Sequence, residues 1–129
     1  MKDVTSNISY SYSGMVVKNM GRGSRLGFKT ANVMIDQSAP EGVFLAKVRV
    51  VDNNYDALVF IGQPMTFNDT QKRSEVYILD FDEFIYNVNI KVDLITKIRD
   101  NYKFDNEEQL INQLKKDEIR ARGILNSKQ

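Results

Sequence analysis

The chain is predicted to be mainly β: a six-stranded, antiparallel, Greek-key-like closed barrel with one C-terminal α-helix packed on its side. Three observations lead there. Short runs of alternating apolar and polar residues recur through most of the chain. Helical periodicity is clear in one stretch only, beginning near Asp105 after the last of these runs. So many short strands with a single helix cannot all have covered edges in an open sheet, whereas a sheet closed on itself has no edge. The chain has 129 residues, 42% of them apolar, enough for one core and little room for a second, so 1–129 reads as a single domain. Within it, 1–9 reads as a polar lead-in and 124–129 as a tail.

The elements follow in order. Tyr10 to Lys18 is rich in Tyr, Ser and Val and alternates as a strand does. Asn19 to Gly27 is a loop by composition, and Ala31 to Ile35 is a short strand leading to polar Asp36-Gln37-Ser38 and the turn Pro40-Glu41-Gly42. Val43 to Val51 is the clearest strand, with Phe44, Ala46, Val48 and Val50 on one face and Lys47 and Arg49 on the other. Asp52-Asn53-Asn54 turns the chain into Tyr55 to Ile61, forming a hairpin. Gly62 to Arg73 is polar and reads as a long loop or flap. In Glu75 to Phe81, Val76, Ile78 and Asp80 alternate with Glu75, Tyr77, Leu79 and Phe81, so neither face is cleanly polar. Val88 to Ile98 alternates through Val88, Ile90, Val92 and Leu94. In the helix, Asp105 is the expected N-cap, and Glu108 completes a capping box. Leu110, Ile111, Leu114 and Ala121 form the apolar stripe, and Gly123 marks the stop.

Composition removes whole classes of chemistry. Without cysteine there is no disulfide scaffold, thiolate nucleophile or cysteine-bound metal. Without histidine there is no serine–histidine or cysteine–histidine mechanism, and proton transfer falls to a carboxylate. A metal would be a hard ion held by oxygen. The net charge of +1 supplies no global field for nucleic acid, and none is expected as a partner. No run is long and apolar enough for a bilayer, and 1–7 has no apolar signal core, so a cytoplasmic protein without membrane contact is expected.

Two short features could carry chemistry. Lys18 to Lys29 holds four positive charges and no negative one, with Gly21, Gly23 and Gly27 around Arg22, Ser24 and Arg25. Glycines let a backbone turn its N–H groups toward an anion, and arginine adds forked donors for phosphate oxygens. The same composition also suits a basic surface hairpin. It is neither a P-loop nor a dinucleotide fingerprint, because the Gly-Lys-Ser/Thr step and a following helix are missing. Thr30 and Asn32 lie two apart, so in an extended segment both face one way. A hydroxyl and a carboxamide oxygen could help hold Mg²⁺, or simply make local turn hydrogen bonds.

Taken together, these pieces resemble the riboflavin kinase family. The run Gly14-x-Val16-Val17 followed by Gly21-Arg22-Gly23-Ser24-Arg25-Leu26-Gly27-Phe28-Lys29-Thr30-Ala31-Asn32 is similar to that family's signature, which ends in Gly-Phe-Pro-Thr-Ala-Asn. Pro40-Glu41-Gly42-Val43-Phe44, Ile61-Gly62 with Thr66-Phe67, Glu75 to Phe81 with Tyr86, Ile98-Arg99, Phe104-Asp105 and Asp117 follow in the family's order, covering roughly residues 12–122. The resemblance implies transfer of the ATP γ-phosphate to the ribityl 5′-hydroxyl of riboflavin, giving FMN and ADP. It implies Glu75 as general base, and Thr30 and Asn32 as ligands of Mg²⁺ or another hard divalent ion. Gly21, Arg22, Gly23, Ser24, Arg25 and Lys29, with Thr30 and Asn32, would contact ATP phosphates. Arg99 and Phe104 would lie by the flavin. An ordinary glutamate, with a pKa of about 4.3, is ionised at neutral pH and serves such a role without special tuning. Phe81, Tyr86 and Phe104 could stack on the isoalloxazine ring or fill the barrel core and helix contact.

Many bacterial members carry the domain behind an adenylyltransferase that makes FAD. Nothing before residue 1 could be such a domain, so a stand-alone, monomeric kinase is expected. The sequence also departs from the pattern. Lys29 replaces the signature proline, which loosens the approach to Thr30 and sets a cation beside it that either binds phosphate or competes with the metal. Phe60 stands where Asn is usual, Pro64 and Met65 where Arg-Pro is usual, and Tyr77 where His is usual. The alternative these changes favour is a weakened or inactive flavin- or nucleotide-binding regulator.

Overall fold

The computed structural model describes residues 8–17, 30–62, 72–81, 87–101 and 104–127. Among them the order is β1 (Tyr10–Val17), β2 (Ala31–Met34), β3 (Gly42–Val50), β4 (Asn53–Gly62), β5 (Arg73–Ile78), β6 (Asn89–Arg99) and α1 (Glu107–Ser127). Every pairing is antiparallel, and the sheet closes in the order β1-β2-β5-β4-β3-β6. Strands β3, β4 and β5 run as a meander, and β6 returns to lie beside β3, which is the Greek-key arrangement. The predicted barrel with a flanking helix is the fold observed.

Alternation builds the interior. Val16, Val33, Phe44, Ala46, Val48, Val59, Val76, Ile90, Val92 and Leu94 fill one continuous core, and β-branched side chains of this kind suit a pleated surface. One polar pair sits at its wall: the Tyr12 hydroxyl and Ser74 Oγ share a hydrogen bond, with Ser74 fully buried. Burial pushes the Tyr12 phenol pKa well above its ordinary value, an effect only partly offset by the Ser74 bond.

A second cluster lies outside the barrel. Val43, Leu45, Leu58 and Ile98 pack with Ala121 of the helix, and Phe60, Tyr77, Ile124 and Leu125 close around them. Strand β3 is therefore buried on both faces through its first half, and its polar face begins only at Lys47. Each buried Leu of this cluster contributes roughly 1.5–3 kcal/mol. A register shift in the β3–β6 pairing near Val43 and Phe44 lets the consecutive residues Ile98 and Arg99 both engage the helix.

Ionic clamps fix the helix on two sides. Toward β6, Arg99 Nε and Nη2 donate to Asp117 Oδ1 and Oδ2 at 2.9 and 2.8 Å, and Gln113 Nε2 donates to Oδ1 at 2.9 Å. Toward β5, Tyr77 donates to Glu118 at 3.1 Å, while Arg122 donates to Glu118 at 3.0 Å and to both Asp80 oxygens at 3.0 and 3.2 Å.

Several boundaries differ from the sequence reading. The β3–β4 turn is Val51-Asp52, one residue earlier than expected, with Val51 at φ 56°. Strand β5 ends at Ile78 rather than Phe81: the Leu79 N–H makes one more in-register bond to β4, at the Asp56 carbonyl 2.9 Å away, and Asp80 at φ 58° then turns the chain off the ladder. The helix cap is Asn106, not Asp105, since Asn106 Oδ1 accepts the Gln109 N–H at 2.9 Å and Gln109 Oε1 accepts the Asp105 N–H at 3.1 Å. The helix also continues through Gly123 to Ser127, so 124–127 is not a tail. A glycine inside a helix costs about 1 kcal/mol, which the burial of Ile124 and Leu125 just beyond it outweighs. The lead-in lies outside the described residues except for Ile8 and Ser9, whose N–H bonds the Leu94 carbonyl. Among the described residues, no helix is long and apolar enough to cross a membrane.

Candidate functional site

The register across the barrel aligns one row of positions. Val17 pairs with Asn32, Asn32 with Glu75, Glu75 with Phe60, Phe60 with Val43, and Val43 with Arg99. Neighbours of Asn32 and Glu75 along their strands, Ala31, Val33 and Val76, belong to the interior core. Alternation therefore turns Asn32 and Glu75 to the outer face, the face that carries Phe60 and the helix-covered cluster.

Thr30 precedes β2 by one residue and lies on the Asn32 side. Its Oγ1 donates to Glu75 Oε1 at 3.3 Å, a contact across 45 residues of sequence. Thr30 and Asn32 are 8% and 5% exposed, which is unusual for polar side chains outside a core. The site thus brings a hydroxyl, a carboxamide and a carboxylate together on adjacent strands. This donor set consists of hard oxygens and fits Mg²⁺, which takes few protein ligands and completes its shell with phosphates and water. Among the described residues, no group of three or more acidic, His or Cys side chains gathers for a metal.

The remaining predicted residues are distributed as follows. Gly21, Arg22, Gly23, Ser24, Arg25 and Lys29 lie outside the described residues, as do Pro64, Met65, Thr66, Phe67 and Tyr86. Arg99 stands at the far end of the row, forked onto buried Asp117, with Nη1 also donating to the Asp100 carbonyl at 3.1 Å and the guanidinium 5.9 Å from the Phe104 ring centre. Phe81 sits edge-on to Tyr55, ring centres 5.0 Å apart, and packs against the interior core, so it fills the barrel. Tyr77, which replaces the usual His, is part of the helix clamp; burial first and the Glu118 carboxylate second raise its phenol pKa. Asp80 titrates below the ordinary carboxylate range because Arg122 bonds and faces it.

Asn101 had no sequence signal. Asn101 Nδ2 donates to the Ile61 carbonyl at 2.8 Å, tying the end of β6 to the end of β4. A Cβ on Gly62 would come within 2.6 Å of that amide, so glycine is required there for close approach. Phe60 was visible only as a departure from a pattern. That it flanks Glu75 follows from a register that joins strands on either side of a long connection.

The fold and site define a class: a small Greek-key barrel whose outer face carries a Thr–Asn–Glu oxygen cluster beside a clamped helix. Within that class the chain belongs to the riboflavin kinase (flavokinase) family, whose model matches residues 6–125. It is 39% identical over 111 residues to the trifunctional protein RibF/MnmA of Mycoplasmoides gallisepticum, covering 84% of this chain and 17% of that one. It is 38% identical over 119 residues to the bifunctional riboflavin kinase/FMN adenylyltransferase of Listeria monocytogenes, covering 89% of this chain and 38% of that one. The chain thus spans well under half the length of these curated relatives. The crystal structure of riboflavin kinase from Trypanosoma brucei shares the fold with a TM-score of 0.63 at 24% identity, over 92% of this chain and 82% of that one.

Proposed function

We propose that this chain transfers the γ-phosphate of ATP to the ribityl 5′-hydroxyl of riboflavin, giving FMN and ADP. The observation that carries the reading is the meeting of Thr30, Asn32 and Glu75 on one outer patch, with Thr30 Oγ1 bonded to Glu75 Oε1. Family membership supports it, since the Listeria monocytogenes relative is named for riboflavin kinase activity.

Phosphoryl transfer asks the protein for alignment and charge stabilisation rather than covalent help. Glu75 accepts a hydrogen bond from the 5′-hydroxyl, aims its oxygen at the γ-phosphorus, and takes the proton as the new P–O bond forms and the bond to ADP breaks. Thr30 holds that carboxylate in place. Thr30 and Asn32 would hold Mg²⁺, which offsets phosphate charge when bound. In this reading Gly21, Arg22, Gly23, Ser24, Arg25 and Lys29 contact the ATP phosphates, and Arg99 and Phe104 mark the flavin end of the row. It requires no second chain, no nucleic acid and no membrane, and it assigns the protein to the cytoplasm, where ATP is available.

The test is direct. The chain is incubated with riboflavin, ATP and Mg²⁺, and FMN is sought by chromatography. FMN is expected, with Glu75→Gln lowering kcat by roughly 10²–10⁴-fold, the range of a general base, while riboflavin affinity stays near that of the wild type. Absence of FMN under every divalent metal and nucleotide would refute the reading.

A further inference from the structure

The row that contains Glu75 also suggests how this chain recognises its acceptor. Phe60 is the direct cross-strand partner of Glu75 on one side and of Val43 on the other. Its side chain is half-buried. The buried part rests on Val43, Leu45, Leu58, Ile98 and Ala121, a cluster with exposures of 5% or less. On the neighbouring strand its direct partner is the Glu75 carboxylate. A large apolar ring partly open to water, set on a rigid base next to a reactive group, gains most by meeting a flat apolar ligand.

We propose that Phe60 is the platform on which the flavin's isoalloxazine ring stacks. The inference rests on the riboflavin kinase reading and adds to it a residue that sets acceptor affinity. Strand spacing fits this placement. Phe60 lies one strand from Glu75, about 4.8 Å, and Arg99 lies three strands away, about 14 Å along the sheet. A flavin whose ribityl end meets Glu75 therefore sets its ring against the open part of Phe60, and Val43 beyond it is covered by the helix cluster. Arg99 is already forked onto Asp117 and so forms a fixed wall rather than a mobile arm.

Three variants test the platform. Phe60→Tyr keeps the ring, while Phe60→Met and Phe60→Leu keep apolar volume without it. Calorimetry gives the affinities for riboflavin, for lumiflavin, which has the ring system without the ribityl chain, and for ADP with Mg²⁺. Thermal melts identify any variant that fails to fold, and two non-aromatic variants guard against losing one. Phe60→Tyr is expected to bind riboflavin within about twofold of wild type. Phe60→Met and Phe60→Leu should weaken riboflavin and lumiflavin alike by roughly 2- to 12-fold, the worth of an aromatic stacking pair, with ADP affinity unchanged. If a folded non-aromatic variant binds riboflavin as wild type does, or loses ADP affinity in parallel, the platform is overturned while FMN formation by the wild type keeps the kinase reading intact. If the wild-type chain binds no riboflavin, both are overturned together.

Discussion

Replacing Asp117 by alanine removes one half of a buried ion pair, and the structure sets the expected cost. Asp117 is 2% exposed and the Arg99 side chain 14%, so both charges have left most of their water. Two forked hydrogen bonds to Arg99 and a third from Gln113 compensate the carboxylate. Without it the guanidinium keeps the Asp100 carbonyl and the Phe104 ring but loses the forked carboxylate. Removing one partner of a buried pair costs about 3–5 kcal/mol, and the residual contacts of Arg99 favour the lower end, about 3 kcal/mol. With an unfolding entropy of about 2.1 cal/mol/K per residue, a chain of this size loses roughly 11 °C in Tm. Urea unfolding followed by circular dichroism measures the change as a shift of the midpoint at constant slope. The double variant Arg99→Met with Asp117→Leu should recover most of the loss, because apolar residues of similar volume replace a buried pair at little cost. A loss below about 1 kcal/mol for Asp117→Ala, the level of an exposed pair, would refute the reasoning. Equal losses in the single and double variants would trace the cost to packing rather than to an uncompensated charge.

Val51→Gly should stabilise the chain by about 1 kcal/mol in the same urea assay, because a β-branched residue at φ 56° is strained and its 70% exposed side chain contributes little packing. Tyr12 gives an alkaline prediction. Its folded-state pKa is raised by burial above the unfolded value of about 10, so its contribution is complete below pH about 10 and is lost as pH rises beyond it. Urea midpoints at pH 8 and 10.5 should therefore fall less in Tyr12→Phe than in wild type. The same variant should cost about 1–3 kcal/mol at pH 8 by orphaning the fully buried Ser74 hydroxyl. Thr30→Val, close in shape, should lower kcat at least tenfold and raise the Mg²⁺ concentration needed for half-maximal rate, with riboflavin KM little changed. A metal titration that superimposes on the wild-type curve would remove Thr30 from the ligand set.

The strands were legible because period-2 patterns in β1, β3, β4 and β6 reflect inside and outside directly. Their ends were not, since distant partners set them. Asp80, bonded to Arg122 of the helix, takes the left-handed turn that ends β5, and Ile124 and Leu125 carry the helix past a glycine that local propensity reads as a stop. At the site, spacing alone put Thr30 and Asn32 on one face. Their meeting with Glu75 required the β2–β5 register, which joins residues 43 apart across the intervening β3–β4 hairpin. Arg99 was marked by its position before the helix, yet its fork onto Asp117 depends on how the helix lies across the sheet. Phe81 remained ambiguous in the sequence between flavin and core, and Tyr55 settles it for the core.

Closure of the barrel has a consequence for the order in which the protein can be made. The seam that seals it joins the first strand to the last: Tyr10 lies opposite Leu94 and Met15 opposite Asn89. A ribosome delivers β1 roughly 80 residues before its partner, at a pace of about 5–20 residues per second. During those seconds β1 has only its short ladder with β2, and β3 lacks the neighbour that covers its other edge. Pairing over such a separation is the slow, entropy-limited kind. Thr30, Asn32 and Glu75 have all been synthesised by then, but the row they share with Arg99 is complete only when the final strand arrives.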